Sequence, residues 1–135
     1  MSKAQKGSRR ERELVNSLNR EGFAVMRAPA SGSATDREQP DVHPGNLEAV
    51  YAIEGKSSGD DIIYIDGEEI EKLMVYSTST GARMRIGVRF DREDWYFLHP
   101  SQADFTRGGN YKVTLEMAKE KGQTIHDLKE GLPCN

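Results

Sequence analysis

The chain has one cysteine, Cys134, among 135 residues. A lone thiol excludes an intrachain disulfide and any cysteine-based metal cluster. Long apolar runs are also missing: none approaches the roughly 18 residues that a membrane span requires, so no membrane partner is expected. The basic opening "MSKAQKGSRRERE" lacks the apolar h-region of a signal peptide, which points to an intracellular protein. Aromatic residues make up only 7% and are not interleaved with basic ones, which argues against a base-stacking RNA-binding module. Hydrophobic content of 36% and a mean hydropathy of −0.73 leave a modest core beneath a very polar surface. The length suits one domain, residues 1–135, with its core over about 7–113 and a tail over 114–135.

Net charge is −3, but it is unevenly spread. Residues 1–37 carry +4, residues 38–82 carry −8 and residues 83–112 carry +2. A basic end joined to an acidic middle suits a polyanion binder with a metal site, although a surface tuned for solubility gives the same totals.

Apolar periodicity and turn residues divide the chain. "GSRRERELVNSLNREGF" reads as a helix capped by Ser8 with Glu11 three places on, an apolar stripe of Leu14, Val15 and Leu18, and a stop at Gly22. Strands follow at 23–27, 49–57 and 62–65, with a Gly/Pro-punctuated loop over 28–40. A second helix over 66–81 places Ile70, Leu73, Met74 and Ser77 on one face and stops at Gly81. Strands at 84–90 and 94–100 come next, then a short strand near 111–113 and a short helical tail. This order predicts an α/β domain with a mixed central β-sheet flanked by helices.

The chemistry concentrates in "PDVHPGNLEAVYAIEGK", residues 40–56. Side chains alternate along a strand, so Glu54 and Lys56 share a face with Ala52 while Tyr51 and Ile53 take the other. Their Cα atoms lie about 7 Å apart. If Asp41 borders a neighbouring strand, its carboxylate converges on Glu54. Two hard oxygen ligands, with waters and a phosphate oxygen, suit Mg²⁺, and the Gly55 carbonyl is a candidate third ligand. Such a site hydrolyses phosphodiesters: the ion acidifies a bound water, while Lys56 orients that water or offsets transition-state charge. A turn aspartate and a surface ion pair worth under about 1 kcal/mol would leave the same letters. Context favours the site, because "AVYAI" would bury charges that have no ligand.

Two flanking segments fit a DNA substrate. Glu11 sits beside Arg9, Arg10 and Arg12 at the expected helix start, where charge, dipole and free N–H groups attract phosphate. The loop "RAPASGS" carries Arg27, Ser31 and Ser33 among small residues that permit close backbone approach. A solvated helix start and a plain linker remain the alternative readings.

Together "KGSRRERELV", "GFAVMRAPASGS", "PD", "YAIEGKS" with "IYI", and "VRF…WYF" resemble the archaeal Holliday junction resolvases of the Hjc type, members of the PD-(D/E)xK nuclease superfamily. The resemblance covers about residues 6–113, and "RAPASGS" is its most specific part. It implies a restriction-endonuclease-like core and a homodimer that nicks two strands of a four-way DNA junction. It also implies Mg²⁺ as cofactor, with Mn²⁺ able to substitute, and a nucleoid-associated role in recombination and repair. By the same resemblance Glu11, Ser31, Asp41, Glu54 and Lys56 are catalytic, with Glu11, Asp41, Glu54 and Gly55 around the metal. Arg9, Arg10, Arg12, Arg27, Ser31 and Ser33 are then the DNA-binding residues. The family's helix matches 67–80, making Leu73, Met74 and Tyr76 candidates for packing or dimer contact. The dimer patch is expected on that helix with the 84–98 hairpin, through Trp95 and Phe97 or through Tyr96 and Leu98. One departure is charge: relatives are typically basic, and this chain has a pI near 5.7. An acidic surface fits a protein working in concentrated salt. The rival readings are a duplex-specific repair or restriction-type nuclease, for which no base-reading motif appears, and a junction binder that does not cut.

Overall fold

The computed structural model describes residues 3–28 and 41–134, with side chains from residue 7 onward. The first helix, α1 (Lys3–Arg20), starts well before Ser8. Good helix formers upstream, Lys3-Ala4-Gln5-Lys6, carry the helix through Gly7, so the cap expected at Ser8 does not form. Leu14 and Leu18 are fully buried on its inner face, and Gly22, at φ 92°, ends it in the left-handed region.

Five strands form the main sheet in the order β1 (Ala24–Arg27), β2 (Val42–Gly45), β3 (Tyr51–Ser58), β5 (Arg83–Phe90) and β6 (Trp95–Leu98). The β3–β5 pair is parallel and the others are antiparallel, which makes the expected mixed sheet. Strand β2 goes beyond the sequence reading, because "VHPG" carries the Pro and Gly that signal a loop. Pairing on both sides overrides that signal, and Val42 and Pro44 alternate inward. The strand at 62–65, β4 (Ile62–Ile65), leaves the main sheet and joins β8 (Tyr111–Thr114) and β7 (Asp104–Phe105) in a second, three-stranded sheet.

Two apolar layers sandwich the main sheet. One holds Ala52, Ile86, Val88 and Leu98 beneath α2 (Gly67–Thr80) and is completed by Ile63, Ile65 and Val113. The other holds Tyr51, Ile53, Trp95 and Phe97 beneath α1. Trp95, Phe97 and Leu98 are therefore buried within one chain and leave the expected dimer patch, while Tyr96 stays half-buried. Met74 also departs from expectation: Ile70, Leu73 and Ser77 fill the inner face of α2, and Met74 is left 39% exposed. Beyond residue 113, α3 (Leu115–Lys121) buries Ala118 in the first layer, and α4 (Ile125–Lys129) buries Leu128 in the second. The Tyr51 hydroxyl donates to the Leu128 carbonyl at 2.8 Å. Among the described residues no helix is long and apolar enough to cross a membrane.

Helix α2 starts under tight constraint. The Asp66 carboxylate caps it by accepting the Glu68 N–H at 3.0 Å, and Gly67 N–H donates to Asn110 Oδ1 at 3.1 Å. A Cβ on Gly67 would overlap the Gly109 carbonyl. Gly67→Ala is therefore expected to cost about 2 kcal/mol through forced backbone movement, read as a lower urea midpoint at unchanged m-value.

Candidate active site

Strands β2 and β3 pair antiparallel with Val42 opposite Ile53. One step outward, that register sets Asp41 opposite Glu54 and on the same face. Two further bonds fix Asp41. Its Oδ2 accepts the Gly55 N–H at 3.0 Å, and its backbone carbonyl accepts the Ala28 N–H at 3.0 Å. Glu54 is buried, at 8% exposure, and Lys56 follows on the same face two residues on. From α2, Glu69 reaches across to place Oε2 2.9 Å from Lys56 Nζ.

Each charge in this group shifts another. Burial, then a hydrogen bond with Glu69, then the Asp41 charge push the Glu54 carboxyl up to about 10. Burial raises Asp41 to about 6; the Gly55 N–H opposes the rise and the Glu11 charge adds to it. Burial draws the Lys56 ammonium down, but the Glu69 hydrogen bond and the surrounding carboxylate charges outweigh it and hold it above its ordinary value. Burial likewise pushes Glu69 up, yet its bonds with Glu54 and Lys56 keep it below the usual carboxylate range. At neutral pH Glu54 thus holds a proton that a cation could replace.

A cleft of about 350 Å³ opens on the other side of Asp41, lined by Ser8, Glu11, Asp41, Gly55, Lys56 and Trp95 among others. Glu11 lies in its wall, and its charge reaches Asp41, but its Oε1 is paired with Arg27 Nε at 2.9 Å. Among the described residues no three Asp, Glu, His or Cys side chains converge as a ready-made metal cage. The register sets Asp41 opposite Glu54, Glu69 is bonded to Glu54, and Mg²⁺ commonly takes one or two carboxylates and keeps its waters. The Asp41 and Glu54 carboxylates stand opposite each other across the β2–β3 pair and are hard oxygen donors, so the donor set fits such an ion.

The arginines expected at a helix terminus lie two turns inside α1, where their N–H groups belong to the helix ladder. Arg9 and Arg12 remain exposed and share an outer face with Asn16 and Arg20. Arg10 does not: its Nη1 is 3.0 Å from Glu13 Oε2 and its Nη2 is 3.2 Å from Asp91 Oδ1. Its guanidinium is thus held by two carboxylates, and it lines the cleft beside Glu11. Ser31 and Ser33 lie outside the described residues. The segment that carries them leaves and rejoins the described structure at Ala28 and Asp41, beside the cleft.

The sequence pattern described as archaeal Holliday junction resolvase (Hjc) matches residues 2–133. The chain belongs to that family. It is 35% identical over 128 residues to the crossover junction endodeoxyribonuclease Hjc of Sulfurisphaera tokodaii, covering 94% of this chain and 88% of that one. With its counterpart of the same name from Sulfolobus acidocaldarius it is 38% identical over 120 residues, 88% of this chain and 83% of that one. The crystal structure of Archaeoglobus fulgidus Hjc, described as a Holliday junction resolvase from an archaeal hyperthermophile, superposes with a TM-score of 0.81 at 28% identity. The match covers 89% of this chain and 95% of that one. The architecture is the restriction-endonuclease-like fold.

Within this Hjc-family chain, two residues at the site escape sequence reading. Glu69 was one acid among several in "DGEEIEK". The available signal was its place, in the first turn of the helix that returns over the strand bearing Lys56. In sequence Trp95 is a strand aromatic and a dimer-patch candidate, yet its ring lies against Gly55, where an added Cβ would stand 3.7 Å from it. Only the sheet order β3-β5-β6 brings it there.

Proposed function

We propose that this chain is a structure-selective endodeoxyribonuclease that resolves four-way DNA junctions by paired, Mg²⁺-dependent phosphodiester hydrolysis in recombination and repair. The supporting observation is that Asp41 and Glu54 converge beside Lys56 at the rim of an open cleft, in a chain of the Hjc family. Asp41 and Glu54 would hold the ion, Mg²⁺ or Mn²⁺, with the Gly55 backbone beside them. Bound there, it supplies Lewis acidity toward a phosphoryl oxygen and acidifies a water. Lys56 contributes an ammonium that offsets charge gathering on the transferred phosphoryl group. Arg27 and Glu11 order the opposite wall of the cleft, and Arg9 and Arg12 offer exposed cations to neighbouring phosphates. A DNA-binding role is assigned to Ser31 and Ser33, which lie outside the described residues. Such work places the protein with DNA in the nucleoid.

The direct test is a labelled four-way junction and a duplex of the same sequence, each with and without Mg²⁺. Cutting confined to the junction with the metal present is expected. Equal cutting of the duplex would replace the reading with a repair or restriction-type nuclease, and binding without cutting would replace it with an architectural junction binder.

A four-way junction needs one nick in each of two opposed strands, and the chain carries one Asp41–Glu54–Lys56 set. A C2 dimer brings two sets related by the substrate's own symmetry. With Trp95 and Phe97 internal, self-association falls to exposed apolar groups such as Met74 and Val75 on α2 and Ile62 and Tyr64 on β4. Sedimentation equilibrium in high salt is expected to give about 30 kDa, twice the 15.1 kDa chain. A monomer both free and on the junction removes the paired-nick mechanism.

A further inference from the structure

We propose that Glu69 is a positioning residue of the cutting site, holding the Lys56 ammonium in place by a direct ion pair. The proposal rests on the nuclease reading and deepens it.

A lysine on a flexible four-carbon stem does not hold one position by itself. Lys56 stands two residues from Glu54 on the same strand face, yet among the described residues the carboxylate paired with it is Glu69, at 2.9 Å. Both side chains are about one-third exposed and Lys56 lines the cleft, so the pair is not sealed in the core.

Glu69 is itself well placed to act as a fixed post. It lies in the first turn of α2, where the helix dipole favours a carboxylate, and its N–H donates to the Asp66 carbonyl at 3.1 Å. That turn is anchored in turn through Gly67 N–H to Asn110 Oδ1. A continuous chain of contacts therefore runs from the β7–β8 turn through the start of α2 to the ammonium. Without Glu69 the nearest strong acceptors for Lys56 are Glu54 and Asp41, the two carboxylates that the metal needs. The ion pair thus does two things. It fixes a cation at the phosphate-facing rim, and it keeps that cation from competing for the metal carboxylates.

The test combines a double-mutant cycle with a measurement that needs neither metal nor DNA. Single-turnover cutting of a four-way junction at saturating Mg²⁺ is expected to fall at least tenfold in Glu69→Ala, with junction affinity unchanged and the fold retained. Glu69→Gln, which keeps a hydrogen-bond acceptor for Lys56, is expected to recover most of the loss. Lys56→Ala combined with Glu69→Ala is expected to be no slower than Lys56→Ala alone, because the carboxylate acts through the ammonium. Undiminished cutting by Glu69→Ala overturns the proposal. So do losses that multiply in the double variant, and so does a defect abolished merely by raising Mg²⁺, which would make Glu69 a metal ligand.

Nitrogen-15 NMR of the lysine ammonium groups supplies the independent reading. A motionally restricted Lys56 signal is expected in the parent, and a changed chemical shift and order in Glu69→Ala, where the ammonium is released toward Glu54 and Asp41. A mobile Lys56 in the parent overturns the positioning role whether or not the chain cuts. A restricted Lys56 in a parent that does not cut junctions leaves the positioning intact and removes the nuclease reading instead.

Discussion

Glu54→Gln abolishes junction cutting while junction binding persists: this is the largest effect expected for this chain. The substitution keeps shape and removes the charge that would hold the metal. A loss of at least about 10³-fold is expected, near 4 kcal/mol of barrier. Affinity for a polyanion should not fall, since a potential negative charge has been removed from the site. A gel-shift titration beside a single-turnover assay reads both, and near-parental cutting by the variant would mean that Glu54 is not a ligand. The same variant carries a signature in stability. Glu54 is raised in the folded, metal-free protein to about 10, from an ordinary value of 4.5. Between those values the native state binds more protons than the unfolded chain. Stability therefore declines as pH rises above about 4.5 and goes on declining toward 10. Glutamine does not titrate. Metal-free Glu54→Gln should melt above the parent by a margin that widens with pH, and added Mg²⁺ should narrow that margin by stabilising the parent alone.

Glu13→Ala is expected to destabilise the fold about as much as Gly67→Ala. Glu13 reads in sequence as one more acid in an Arg-rich helix, but its carboxylate ties α1 to β5 and β6 at one edge of the sheet. Oε1 lies 2.8 Å from Arg89 Nε and 3.1 Å from Trp95 Nε1, and Oε2 lies 3.0 Å from Arg10 Nη1. The two arginine side chains are only 12% and 16% exposed, so the substitution takes the carboxylate from a largely buried Arg89 and leaves Arg10 with Asp91. Breaking a buried pair costs about 3–5 kcal/mol; with Glu13 itself one-third exposed, about 2 kcal/mol is the expected loss. The pH dependence has the opposite sign from that of Glu54. Burial pushes Glu13 up, but Arg89 and Arg10 outweigh it and hold it below its ordinary value of 4.5. Its contribution is then full above that value and is lost as pH falls through the lowered folded value. Urea midpoints at pH 7 and in acid should show the variant's deficit shrinking in acid, and a constant deficit would place Glu13 outside the network.

Local rules carried much of the fold. Period-two alternation assigned Tyr51 and Ile53 to one layer and Ala52, Glu54 and Lys56 to the other, as found. Gly81, at φ 78°, stops α2 where a left-handed residue was expected. The errors also have local causes. Ser8 looked like a cap because its side chain suits one, but helix formers preceding it extended α1 to Lys3. Pro44 and Gly45 looked like a loop, and β2 exists because β1 and β3 pair with it on either side.

The sequence by itself determined the acid, acid and lysine chemistry, the strand carrying Glu54 and Lys56, and the family resemblance of the chain. These follow from residue type and short-range spacing, which strand geometry converts directly into faces. Only the tertiary structure decided which charges meet. The β2–β3 register set Asp41 against Glu54, the return of α2 brought Glu69 to Lys56, and the β5–β6 pairing turned Arg10, Glu13, Arg89 and Trp95 into one network. Charged groups look alike in a sequence, because whether an arginine grips phosphate or a neighbouring carboxylate depends on distances of a few ångströms. Those distances are set by packing between segments far apart in the chain, and no local pattern encodes them.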